Sequence, residues 1–249
     1  MPVAIPYCGI APVPGTLAGR VNADPVLAAA LLLLFLLHRR VLHAAHGARA
    51  ARCAAVAGWL VAAIALMSPL CALSVALFSA RVTQHMVLLL LAAPLLALAL
   101  PPRAACGRHF WPWSFLFMAA LWFWHMPVPY DATFTSTPIY WTMHITLTGS
   151  AILLWRELLH HGPEQGIGAF AAGMFTSMQM GVLGALLAFA GHPQFIAHLS
   201  STQAWGLTPL QDQQLGGTIM WVPGVLVFLW VALRSVLRSG AAGRLRVAG

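Results

Sequence analysis

Three short runs in this sequence put an imidazole beside a thioether: Thr83-Gln84-His85-Met86, Trp124-His125-Met126 and Thr142-Met143-His144. Imidazole nitrogen binds copper in either oxidation state and methionine sulfur favours Cu(I), so copper binding is the chemistry within reach. Neighbouring residues on a helix point about 100° apart, so no His-Met pair closes on an ion alone. A site has to be assembled between helices. His85 and His144 are the pair expected to form it, with His125, Met86 and Met220 as further metal donors. Asp212 is expected either as a ligand or as the acceptor that fixes a histidine tautomer. A hydrogen-bonded structural role stays open for each of these histidines. His192 and His198 read as interfacial loop residues. His38, His43, His46, His109, His160 and His161 stand near arginines and read as solvated. Met118, Met174, Met178 and Met180 read as packing.

The elements that carry these residues are set by composition. Sixty per cent of the residues are hydrophobic, 7% are charged, and the mean hydropathy is +0.82. A chain of that kind has lipid as its main solvent. Crossing a hydrocarbon core of about 30 Å takes about 20 mainly apolar residues. Such runs lie near 23–38, 54–73, 84–101, 112–127, 138–156, 168–190 and 216–235. The expected fold is all-α, a polytopic membrane bundle of about seven transmembrane helices. An outer N-terminal segment (1–22) precedes the membrane domain (23–236), and a frayed cytoplasmic tail (237–249) follows it. The first run could be a signal peptide, but no small-residue cleavage site precedes Arg39-Arg40, and it is read as a span. Gly181, Gly184, Gly216 and Gly217 read as close helix packing points, and Pro94 and Pro223 as kinks.

Orientation follows from the basic residues, all thirteen of which are arginine. With the N-terminus outside and the C-terminus inside, eleven fall on the inner side and only Arg20 and Arg81 on the outer. This is the asymmetry expected of short cytoplasmic loops. The formal charge of +8 is then a matter of topology and of anionic membrane lipid, and no surface suits nucleic acid. Trp111, Trp113, Trp155 and Trp230 fall near inner span ends, and Trp122, Trp124, Trp141 and Trp221 near outer ones, as an aromatic belt would. Cys8 and Cys71 share the outer side, Cys53 and Cys106 the inner. Cys8 to Cys71 is therefore the one disulfide the topology permits, the alternative being free or metal-associated thiols. No phosphate loop, nucleophile elbow, zinc-protease signature or CxxC occurs, and five acidic residues leave little for carboxylate catalysis, so a non-enzyme without a soluble substrate is expected.

The run Leu207-Thr208-Pro209-Leu210-Gln211-Asp212-Gln213-Gln214-Leu215-Gly216-Gly217, continuing Thr218-Ile219-Met220-Trp221-Val222-Pro223-Gly224, resembles the signature of CtaG-type cytochrome c oxidase assembly factors. Gln84-His85-Met86 with Ala93-Pro94-Leu95-Leu96, then Leu121 to Pro127 with Tyr130-Asp131-Ala132, then His144, match in order. The resemblance covers residues 55 to 236. It implies a protein of the bacterial inner membrane that serves in respiratory chain biogenesis, has oxidase subunits as partners, and holds or delivers copper at the periplasmic face. The chain departs from that pattern at Arg81, Trp141, Met143 and Gln179, where relatives tend to carry histidine or other polar groups. The implied site is therefore reduced and methionine-reliant, or lost. Arg81 would repel a bound cation unless paired, with Asp131 or Asp212 as candidates. A metal-free scaffold, a copper transporter and a haem-binding protein are the competing readings. The polar-poor inner halves of the spans weigh against the transporter.

Overall fold

The computed structural model describes residues 5–44, 48–101 and 107–247, without side chains for 44 and 241–247. Expectations for His46, Arg103 and Cys106, and for the side chains of Arg244 and Arg246, lie outside the described residues. The described chain is helical, with no strand among the described residues. The helices are α1 (Pro25–Ala44), α2 (Arg49–Met67), α3 (Pro69–Ala76), α4 (Phe78–Val87), α5 (Ala93–Ala99), α6 (Phe110–Trp124), α7 (Pro127–Thr135), α8 (Thr137–His160), α9 (Gly166–Ala188) and α10 (Pro209–Val247). Among the described residues, five helices are long and apolar enough to cross a membrane: Pro25–His43, Arg49–Met67, Phe78–Ala99, Pro163–Ala188 and Pro209–Gly240. The two other expected runs form α6, which has 15 residues, and α8, whose 24 residues are interrupted by hydroxyls and histidine.

Prolines explain where the helices differ from the apolar runs. The second run was expected to continue to residue 73, but Pro69 has no N–H to donate, so α2 stops at Met67 and Ser68 caps the new helix α3 through Leu70 N–H. Between α4 and α5 the chain keeps its course through one π turn, Leu88–Ala92, in which Ala93 N–H bonds to Leu88 O. In that register the next donor, to Leu89 O, would be Pro94. The indole of Trp155 donates there instead, at 2.8 Å, so the freed carbonyl is satisfied from α8. Trp155 is accordingly buried and stacked on Phe228 at 4.8 Å rather than placed in an interfacial belt, a correction to the expectation. Trp124 is likewise buried and donates to Thr146, whereas Trp111 and Trp230 are exposed as a belt requires.

Glycine packing behaves as expected. A methyl group on Gly217 would stand 2.4 Å from Ala188 N and 2.6 Å from Gly184 O, and one on Gly216 would enter the Phe78 ring. Helices α9 and α10 therefore touch backbone to backbone. Pro223 lies inside α10, which runs on as helix to Val247 instead of fraying after Arg238. His161, expected to be solvated, is buried with its Nε2 at 3.1 Å from Ser235 Oγ.

Candidate metal centre

The histidine helix is fixed at its start by a residue far along the chain. Asp212, near the start of α10, accepts hydrogen bonds from the Phe78 and Ser79 amides at 2.6 and 3.1 Å and from the Ser79 hydroxyl. The carboxylate sits on the positive end of α4 and satisfies its first free N–H groups. Asp212 thus positions the helix that carries His85, about two turns away. On the same helix Gln84 donates to Ala65 O of α2 at 2.8 Å, which sets the helix rotation.

That rotation places His85 between two other imidazoles. Its ring centroid is 5.4 Å from that of His144 on α8 and 5.8 Å from that of His125 at the end of α6. All three are buried. His125 Nδ1 lies 2.7 Å from Leu121 O and His144 Nδ1 lies 3.0 Å from Tyr140 O, each one turn back on its own helix. A carbonyl only accepts, so both Nδ1 atoms carry the proton and each Nε2 presents a lone pair. Neither Nε2 has a hydrogen-bond partner, and both nitrogens of His85 are unpartnered as well. Four bare nitrogens in one buried cluster would be costly as a purely structural arrangement. A neutral imidazole keeps one proton, so the three rings together offer three lone pairs, donors of the kind a metal ion takes. As placed, no three His, Cys, Asp or Glu side chains among the described residues converge on one point.

The other expected donors have these surroundings. Met86 and Met220 are buried in the main apolar core, and Asp212 is engaged at the start of α4. His192 is exposed, as expected of an interfacial loop residue. His198 is buried with Nε2 at 2.7 Å from the Tyr130 hydroxyl, contrary to expectation. Burial, together with the nearby Arg81 guanidinium, pulls its pKa down to about 3.

Arg81 stands one turn before His85 and is 1% exposed. Asp131 accepts from Ala197 N at 3.3 Å, so with Asp212 committed to α4 both proposed carboxylate partners of Arg81 are used elsewhere. The guanidinium donates to Thr133 Oγ1 at 2.8 Å and lies 4.2 Å from the Phe134 ring centroid, with Tyr130 and Tyr140 at 5.4 and 5.6 Å. Aromatic faces stabilise a desolvated guanidinium by about 2 kcal/mol. Sequence reasoning missed this cage because its walls come from α7 and α8. It also missed Tyr140, whose ring is 4.3 Å from that of His144; the signal was the four-residue spacing of the two.

The Cys8–Cys71 disulfide forms, as the topology allowed, and Cys53 is an exposed free thiol. Neither a curated protein nor a solved structure matches the chain. A family model, the cytochrome c oxidase caa3 assembly factor (Caa3_CtaG), matches residues 28–239. That match spans most of the sequence and takes in every helix bearing a cluster histidine, and the chain belongs to that family of oxidase assembly factors.

Proposed function

We propose that this protein crosses the bacterial inner membrane seven times with its N-terminus outside, and that it holds copper for delivery to an oxidase subunit. The carrying observation is the cluster of His85, His125 and His144, with Nε2 left bare on the two histidines whose Nδ1 is tied to its own helix. His85 is the shared member, since it faces both others. The copper is cargo, and the residues do the work around it. Carbonyls of Leu121 and Tyr140 hold two tautomers, Asp212 holds the helix start, and Arg81 sets the charge that the cargo must tolerate. A buried guanidinium one turn away disfavours a dication more than a monocation, which together with soft neutral donors favours Cu(I). No proton transfer or bond cleavage is required of the chain, consistent with a non-enzymatic role.

Elemental analysis of detergent-purified protein tests this reading. Wild type should retain copper, His85→Ala and His144→Ala should each lose most of it, and all should elute as folded protein. If a His85→Ala, His144→Ala double variant supports full oxidase assembly, the protein is a metal-free scaffold instead.

A further inference from the structure

The histidine cluster is covered on one side by an N-terminal segment that a disulfide ties to the bundle. Residues 5–24 cross the end of the bundle at which α2 finishes and α4 begins. Ile5, Ile10, Val13 and Val21 face outward at 47–68% exposure, whereas Tyr7, Cys8 and Ala11 pack against the main apolar core and Leu17 is half-buried. Apolar burial therefore fixes only part of the segment. The rest is tied down by the Cys8–Cys71 disulfide to α3 and by polar contacts, among them Asn22 N–H to Met67 O at 2.9 Å and Trp205 Nε1 to Pro12 O at 3.1 Å. Beneath the disulfide lies Tyr140, with its hydroxyl 3.4 Å from Cys8 Sγ and 3.9 Å from Cys71 Sγ. Tyr7 stacks on the Tyr140 ring at 4.9 Å and meets Trp141 edge-on at 5.0 Å. Tyr140 in turn lies on His144, and His144 on His85. The layers from outside inward are thus strap, tyrosine, and then the histidines.

Resting on the proposed copper site, we infer that the segment is a redox-released strap: the disulfide keeps the histidine cluster shut, and its reduction by a dithiol opens the cluster to metal. The exchange balances. The dithiol gives two electrons and two protons, becomes its own disulfide, and leaves Cys8 and Cys71 as thiols. Cutting the disulfide leaves the segment held by its junction with α1 and by non-covalent contacts alone, so that it opens locally without unfolding of the bundle. Tyr7 leaves Tyr140 with it, and Tyr140 is freed to move off His144.

Histidine modification by diethyl pyrocarbonate, read by mass spectrometry, tests the strap without any metal. In oxidised wild type, His85 and His144 should be protected. After mild dithiol treatment, and in a Cys8→Ser, Cys71→Ser variant, His144 should react about tenfold faster. Exposed His192 reports reagent activity. His161, buried at the other end of the bundle, reports global unfolding and should stay protected. Should the variant unfold, the reduced wild type decides the matter, with reoxidation expected to restore protection. Equal His144 reactivity in folded oxidised and folded reduced protein overturns the proposal. Cu(I) loading then separates this proposal from the one it rests on. Faster loading of the reduced protein with the same final content supports the strap, and equal loading rates overturn it. Absence of copper from both forms overturns the copper reading, leaving the reactivity ratio to judge the strap as a covering element.

Discussion

At the scale of single residues, the decisive chemistry is the placement of protons on imidazoles. His125 and His144 each give Nδ1–H to a carbonyl of their own helix, so their remaining nitrogens are fixed as lone-pair donors before any ligand arrives. His198 is a different case, a neutral histidine buried against Tyr130 with its pKa near 3. An unfolded chain would titrate the same group near 6.5. Between those values the unfolded state binds a proton that the folded state refuses, so the stability is whole above pH 6.5 and declines as pH falls through the window toward 3. At pH 5 the deficit should be about 2 kcal/mol. Thermal unfolding of detergent-solubilised wild type should weaken more from pH 7 to pH 5 than that of His198→Gln, and equal slopes would refute the assignment. The sequence made His85, His125 and His144 legible, because few residue types explain imidazoles near span ends. Arg81 was legible only as a problem. Its answer, the faces of Phe134, Tyr130 and Tyr140, depends on helix contacts that no local spacing encodes. Asp212 was expected as a ligand or as the acceptor that fixes a histidine tautomer, yet its partners are the amides of Phe78 and Ser79 and the Ser79 hydroxyl, which a sequence does not display.

At the scale of elements, proline and glycine decide where helices bend and how near they come. Pro69 and Ser68 divide what hydropathy reads as one run, and Pro94 is accommodated by a π turn with Trp155 donating from α8. Hydropathy averages over a window and is blind to both events, so the apolar runs were legible while the break, the π turn and the full reach of α10 were not. Close packing at Gly184 and Gly217 was legible, since small residues in a span have few other uses. A methyl group at position 217 would meet backbone atoms of Ala188 and Gly184, which cannot rotate away as a side chain can. Gly217→Ala should therefore destabilise the α9–α10 pair by about 1–3 kcal/mol, seen as a lower melting temperature in detergent. Unchanged melting would mean that the two helices slide apart without cost. The same substitution at Gly149, where nothing lies within 4 Å of the added carbon, serves as the control.

At the scale of the whole molecule, charge asymmetry and the covalent tie point the same way. Eleven of thirteen arginines fall on one proposed side, and the disulfide joins two cysteines on the other. A reporter enzyme fused after Gly249 should be active only if it functions in the cytoplasm, and activity of a periplasm-dependent reporter there would reverse the topology and remove the oxidase-facing reading of the site. The overall architecture was the most legible level, because a lipid solvent leaves a chain of this composition little choice but helices. What composition could not reveal is the order in which the parts become dependent on one another. The carboxylate that finishes the start of the histidine helix belongs to position 212, more than a hundred residues downstream of the amides it caps. A ribosome working through this message therefore emits the histidine-bearing helix α4 early and its anchor late, so a half-made chain lacks the finished end of the bundle, and the start of α4 is completed only once α10 has been made.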